Sequence, residues 1–440
     1  MTEATPADQG SGNRRIYGLV FLTIFLDLLG FGIIIPIQPF YAEAFGASPT
    51  QVTWLGAAYS VMQFLFVPLW GRLSDRVGRR PVVLASIAFA VVGYTLFGLA
   101  GSLGMLFAAR FLSGFGNANI ATVHALLADI TTPEERAKAM GLVGAAFGLG
   151  FIVGPGIGGL LGGWLGPEAP AFAAAALSAG NWIFAFFALP ETLPPEAREE
   201  AQRAGEGVRS MRAAFGKTQV RPLLVLILVT VTSFALMEQC LGLFIERVWV
   251  PEALLAAAGS PEQEELHKKA TLLTTWVLLL VGVVATIVQG GLIGRLSKAF
   301  GERRLIQVGL VLAGVGMFGV PWAGSTGLYW LMLPVSAVLA LGSGLYSPSL
   351  NASLSKAVSA SEQGAVLGVG QALGSGGRVL GPVVAGPLFE ITADMPFYVG
   401  GAGLLLAVGL ALLPEPPRPE VGTGKAEPGQ DSLEPVKLAP

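Results

Sequence analysis

Apolar and polar positions along this chain neither alternate nor recur every third or fourth residue; they come in blocks. Apolar runs lie near 16–38, 51–70, 81–100, 104–127, 139–163, 171–189, 221–245, 270–292, 305–324, 328–349, 364–388 and 393–413, with polar stretches between them. A helix rises about 1.5 Å per residue, so about 20 such residues cross the roughly 30 Å hydrocarbon core of a bilayer. Unbroken runs predict helices rather than a barrel, whose strands alternate at period two. In lipid, every backbone group must also be paired inside the structure, which a helix achieves alone. The pattern predicts an all-α polytopic membrane protein with twelve transmembrane helices.

Composition agrees. The chain is 53% hydrophobic and 13% charged, against about 25% charged in soluble domains, and its mean hydropathy is +0.65. The net charge of −2 says little, but the placement of positive charge is informative. With both termini inside, the outer loops hold only Arg247, Lys268 and Lys269. Apart from Arg110 and Arg378 within spans, every other Lys and Arg falls on the cytoplasmic side. The expected location is the cell (cytoplasmic or inner) membrane. The opening MTEATPADQGSGNRRIYG reads as an uncleaved signal anchor. The single cysteine, Cys240, forms no internal disulfide.

Two polar segments organise the chain: 191–219, rich in Glu, Arg, Ala and Pro, and 414–440, rich in Pro, Glu and Gly. They imply a cytoplasmic N-terminal segment (1–15), a six-helix bundle (16–190), a cytoplasmic linker (191–219), a second six-helix bundle (220–413) and a disordered cytoplasmic tail (414–440). Shared text supports duplication. GRLSDRVGRR at 71–80 recurs as GRLSKAFGER at 294–303, an offset of 223 (294 − 71). The Gly-Pro of GFIVGPGIGG recurs in GRVLGPVVAG at an offset of 227 (381 − 154). Two matches at nearly one offset predict two pseudo-symmetric bundles, a transporter architecture with its site near the midplane between the halves.

Charged residues inside the apolar runs are the candidate chemistry, because a charge at the bilayer centre costs roughly 2.5–3.5 kcal/mol even on the lenient insertion scale. Asp27 lies in TIFLDLLGFGIIIPI of the first run. Counted along the helices, it and Arg110 of the fourth run share a depth of about 16–20 Å above the cytoplasmic edge. They read as a pair across a cavity that a proton on Asp27 would break; permanently closed, the same pair would only staple the two spans. Arg110, Asn117 and His124 recur every seven residues and so share one helix face about 21 Å long. His124 reads either as a proton relay or as a hydrogen-bonded structural residue. In the second half the isolated charges are Glu238 and Arg378, which read as substrate or proton binders or as an inter-span pair. Gln239 is a further cavity candidate. Gln38 and Gln63 are among several amides in apolar surroundings, with no role assigned.

Three motifs carry a resemblance. GRLSDRVGRRPVVL after the second span, RFLSGFGNAN in the fourth and GLGFIVGPGIGG in the fifth resemble signatures of the major facilitator superfamily. FLDLLGFGIIIP and ADITTPEERAKAMG point within it to the drug/proton antiporters that include tetracycline efflux pumps. The resemblance implies a proton-coupled antiporter in which Asp27, Arg110 and Glu238 handle the proton. It also implies a cytoplasmic gate built from Gly71, Asp75, Gly78, Arg79 and Asp129. In that gate Asp75 docks on the start of the eleventh span and Arg79 pairs with Asp129. Without the resemblance, the same loop reads only as a topology determinant. Gly150, Gly154, Pro155, Gly158 and Gly159 match the antiporter motif.

Residues 305–324 contain no carboxylate, whereas specific tetracycline–metal pumps are expected to carry acids in spans eight and nine. A broader exporter of amphipathic, often cationic drugs is the expectation; efflux of a sugar or other metabolite is the alternative, and a membrane receptor lacks room for a signalling domain. The sequence has no Walker motif, metal-ligand spacing or nucleophile triad, so no enzyme activity, metal or cofactor is expected and the proton gradient is the energy source. The expected partners are a small molecule, protons and the bilayer, with no nucleic acid, and the chain is expected to be a monomer.

Overall fold

The computed structural model describes residues 6–131, 133–193, 217–358 and 363–412. The tail 414–440 and most of the predicted linker therefore lie outside the described residues. The first half contains α1 (Pro6–Ile34), α2 (Gln38–Glu43), α3 (Pro49–Val77), α4 (Arg79–Gly98), α5 (Leu103–Gly116), α6 (Ile120–Ile130), α7 (Pro133–Leu165) and α8 (Glu168–Ala188). The second contains α9 (Arg221–Trp249), α10 (Pro261–Thr286), α11 (Ile293–Phe300), α12 (Glu302–Ser325), α13 (Met332–Lys356), α14 (Gln363–Ile391) and α15 (Met395–Leu412). A π-helical turn, Ile287–Leu292, joins α10 to α11. Taken together across their breaks, α1–α2, α5–α6 and α10–α11 each supply one run, and the described helices fall at the twelve predicted places.

Among the described residues, eight helical stretches, one of them Pro261–Phe300 across α10, the π-helical turn and α11, are long and apolar enough to cross a membrane, with shorter apolar stretches at Gly18–Ile34 and Ile152–Leu165. The sequence sets their starts. Ser48 caps α3 in a capping box with Gln51, and Ser260 accepts from Gln263 N at the start of α10. In both, proline follows the cap, where its missing N–H is no loss. Large apolar side chains such as Phe187, Leu406 and Ile391 remain exposed, as a lipid-facing surface requires.

The helix pairings repeat between the halves. The packed pairs α1–α7, α1–α8, α3–α5, α4–α5 and α4–α8 have as counterparts α9–α14, α9–α15, α10–α13, α12–α13 and α12–α15. Between the halves, α3 packs on α14 and α7 on α10, two contacts that exchange places when the halves are swapped. This is the pseudo-two-fold expected of a duplicated chain.

The repeat extends to atoms. Gly78 (φ 110°, ψ 160°) and Gly301 (φ 78°, ψ 155°) turn the corresponding loops in backbone conformations almost closed to other residues. Ser74 Oγ accepts from Arg79, and at the matching place Ser297 Oγ donates to Glu302 at 2.9 Å. Arg80 donates to the carbonyl of Phe186, as Arg303 does to that of Ala411.

The two halves meet closely at the end of the bundle that carries Glu43. Trp54 Nε1 donates to Val383 O at 3.3 Å and Thr50 N to Glu390 Oε1 at 3.2 Å. A Cβ on Gly386 would strike the Thr50 backbone, one on Gly159 the Thr275 side chain, and one on Gly163 Leu272. Missing side chains let these helices approach within backbone contact.

Candidate functional site

The site lies where the fourth run breaks. Between α5 and α6 the chain leaves helical geometry at Asn117–Asn119, so the single face predicted for Arg110, Asn117 and His124 is not continuous. The break aims two amides inward. Asn117 Nδ2 donates to Tyr59 Oη at 3.1 Å and Tyr94 Oη at 3.2 Å, and Gln63 Nε2 donates to Tyr59 Oη at 3.1 Å. Asn119 Nδ2 donates to Ser86 Oγ at 2.7 Å and its amide also hydrogen-bonds the Asp27 carboxylate. His124, on α6, is half-buried and makes no hydrogen bond among the described residues.

Asp27 on α1 is partly accessible as a residue, yet its Oδ1 is buried without a hydrogen-bond partner. The predicted pairing with Arg110 is not what the structure contains. Arg110 Nε donates to Gln38 Oε1 at 2.6 Å, and Nη2 donates to the same oxygen. The guanidinium carbon lies 5.5 Å from the ring centres of both Tyr59 and Phe97. Depth along a helix fixes height but not direction around the axis, and Arg110 points to Gln38 just beyond the end of α1. Its Nη1 has no partner, and the residue is only 3% exposed.

From the second half, Glu238 and Arg378 reach the same region, both partly accessible. Glu238 interacts electrostatically with Arg378 first and Arg110 second, without an ion pair at 4 Å or less among the described residues. It therefore lies in the field of two cations from opposite halves. Arg378 Nη2 donates to Ser375 Oγ at 3.0 Å. Tyr59 lies in the field of Asp27, Arg110 and Arg378 together, which makes it the common neighbour of the buried charges. Phe31 stacks on it with ring centres 4.8 Å apart. Gln239 lies directly over Gly56, where any Cβ would collide with its amide.

At the opposite end from Glu43, Arg79 donates through Nε to Asp129 Oδ2 at 3.1 Å and through Nη1 to Asp75 and Ser74. Asp75 thus bonds within its own loop; the side chains of 364 and 365, at the start of the eleventh span on which it is expected to dock, lie outside the described residues. Gly71 faces Ala121 at 3.4 Å from where a Cβ would stand. The second half repeats the Arg79–Asp129 cluster with charges exchanged, as Glu302 Oε1 to Lys356 Nζ.

The glycine motif of α7 has two working faces. Gly150, Gly154 and Gly158 lie against Leu28, Gly32 and Ile33 of α1, while Gly159 lies against Thr275 of α10. A Cβ on Gly154 would be 2.7 Å from Gly32 Cα. Pro155 lies inside the helix, where it removes one backbone hydrogen bond.

Several partners carried no signal of their own in the sequence. Tyr59, Tyr94 and Asn119 read as ordinary span residues, and Gln38 as one buried amide among many. Glu43, Glu246 and His267 lie outside the apolar runs, yet they bring three metal-ligating side chains to within 4.8 Å of one another.

A family model described as Major Facilitator Superfamily matches residues 20–382 and 251–439. Tetracycline resistance protein, class C, from Escherichia coli is 34% identical over 393 residues, covering 89% of this chain and 92% of that protein. Multidrug resistance protein 1 from Bacillus subtilis (strain 168) is 31% identical over 401 residues, covering 90% and 94%. Among solved structures, the human organic anion transporter MFSD10 aligns with a TM-score of 0.64 at 24% identity, covering 91% of this chain and 99% of that one.

Proposed function

The chain belongs to the major facilitator superfamily, and from that premise we propose that it exports amphipathic, often cationic compounds in exchange for protons. The observation that carries the reading is the gathering of Asp27, Arg110 and Arg378 around Tyr59, with Glu238 in the field of both arginines. Intramembrane charges are retained where they bind ions or substrates. The similarity to tetracycline and multidrug resistance proteins supports drugs as the substrate class.

In this reading the Glu43 end faces outward, both termini are cytoplasmic and the membrane is the cell's inner or cytoplasmic one. The tight packing at the Glu43 end is a state closed to the outside. Asp27 carries the proton: its Oδ1 lacks a donor, so protonation there breaks no existing bond. Asn119 lies at the other side of the carboxyl. Glu238, in the field of Arg378 and Arg110, binds the cationic part of the substrate, while Phe31 and Tyr59 offer it aromatic faces. Substrate binding to Glu238 competes with both arginines and so couples occupancy to the contact between halves.

Rocking of the halves then exposes the site alternately. Arg79–Asp129 and Lys356–Glu302 fix the inner ends; one face of the α7 glycine helix locks it to α1 within its half, and the Gly159 face is the surface along which α10 slides. Each proton entering across about 100 mV releases roughly 2.3 kcal/mol, enough for a nearly fifty-fold gradient of a neutral substrate at one-to-one exchange. Drug uptake into inverted vesicles tests the reading: a proton gradient should drive accumulation of a cationic dye, and its collapse by an uncoupler should abolish it. Equal accumulation with and without the gradient would refute proton coupling.

A further inference from the structure

At the closed end, away from the central charges, three side chains from three helices meet. Glu43 ends α2, Glu246 lies near the end of α9, and His267 lies in the second turn of α10. The first belongs to one half and the other two to the other, so the cluster straddles the seam along which the halves separate. The His267 ring also packs on Phe40 of the first half, with ring centres 5.7 Å apart.

Glu246 is only 1% exposed, and neither of its carboxylate oxygens has a hydrogen-bond donor. Its Oε1 is 3.1 Å from His267 Nε2, near enough to bond but without the alignment of a hydrogen bond. Glu43 Oε2 is likewise buried and unpartnered, and its carboxyl faces that of Glu246. Among the described residues, the cation in the electrostatic surroundings of Glu43 is Arg247, whose guanidinium sits 4.8 Å from the Phe389 ring centre. Buried acceptors pointing at one another are costly unless something positive lies between them.

We propose that Glu43, Glu246 and His267 form a binding site for a zinc-like divalent cation that clamps the two halves together at this end. One imidazole and two carboxylates supply three ligands, with a position left for water, a donor set suited to Zn²⁺ rather than to Mg²⁺ or Ca²⁺, which favour oxygen alone. Two carboxylates and a neutral imidazole balance the dication, leaving the buried cluster without net charge. The donor atoms, all within 4.8 Å of one another, need only small inward rotations to span ligand–metal bonds of about 2.0–2.2 Å. The proton pathway around Tyr59 uses none of the three residues.

The binding claim stands by itself; the clamping claim rests on alternating access. The first test is Zn²⁺ titration calorimetry on the metal-free, full-length protein in lipid nanodiscs, beside the visible spectrum with Co²⁺. One Zn²⁺ per chain and the absorption bands of four-coordinate Co²⁺ are expected, both lost in His267→Gln. Glu246→Gln should weaken binding at least roughly tenfold, and Glu43→Gln at the more accessible ligand serves if Glu246→Gln does not fold. Folded wild-type protein that takes up no stoichiometric Zn²⁺, or a His267→Gln variant that binds equally well, would overturn the site and leave a proton shared by the two carboxyls. Zn²⁺ added on the Glu43 side should slow transport at least fivefold in wild type and leave His267→Gln at its metal-free rate. Equal slowing of both would overturn the clamp.

Discussion

Gln38, rather than Asp27, holds Arg110, and the difference is measurable. Gln38→Leu removes the one acceptor shared by Arg110 Nε and Nη2 and leaves a guanidinium 3% exposed whose Nη1 is already without a partner. Hydrogen bonds to charged groups contribute roughly 1.5–3 kcal/mol in soluble proteins, whereas interhelical bonds in membranes average about 0.6 and reach about 1.7 kcal/mol. A charged donor giving two N–H groups to one buried oxygen belongs at the top of the membrane range, about 1.5 kcal/mol. That corresponds to roughly a twelvefold change in an equilibrium constant. Detergent-titrated unfolding in mixed micelles, followed by tryptophan fluorescence, supplies the free energies for a double-mutant cycle of Gln38→Leu with Arg110→Leu. A second cycle pairs Asp27→Asn with Arg110→Leu. The first should give a coupling near 1.5 kcal/mol and the second under about 0.5 kcal/mol, the level of independent sites. A larger coupling in the Asp27 cycle would refute the arrangement and restore the direct charge pair.

Other expectations follow from individual contacts. Gly154→Val drives side-chain carbons into the Gly32 backbone and should lower stability by about 1–3 kcal/mol; an unchanged melting transition would show that α1 and α7 are further apart. Gly78→Ala and Gly301→Ala each force a side chain into a left-handed backbone and should cost about 1–3 kcal/mol in the same assay, with comparable losses at the two sites if the loops are true repeats. Glu238→Gln should raise the half-saturating concentration of cationic substrates while sparing neutral ones; equal loss of both would remove Glu238 from substrate binding. Asp129→Asn should destabilise the protein less than Arg79→Gln, because Arg79 also holds Asp75 and Ser74, and the reverse ranking in thermal unfolding would contradict that geometry.

Much of the architecture was legible in the residues because hydrocarbon imposes a simple rule. Apolar runs mark the rods, and the repeated GRLS text marks a duplication that the paired glycine turns at Gly78 and Gly301 reproduce in backbone angles. The Arg79–Asp129 contact, implied by family resemblance, is present at 3.1 Å. What stayed hidden depends on direction. The α5–α6 break at Asn117–Asn119 contains no proline and so gave no warning, yet it separates His124 from the face that Arg110 and Asn117 share against Tyr59 and turns Asn119 toward Asp27. Gln38 was one amide among several, because nothing in a linear pattern says which amide an arginine will find. Glu43, Glu246 and His267 are each unremarkable at the ends of apolar runs and become a cluster only when three helices converge.

The central claim is that Asp27 carries the proton exchanged for substrate. Purified protein in proteoliposomes with an imposed pH gradient, challenged with cationic and neutral drugs, tests it most directly. Substrate-triggered proton movement in wild type that vanishes in a correctly folded Asp27→Asn variant is the predicted result. Proton movement that persists at the wild-type rate in Asp27→Asn would contradict it.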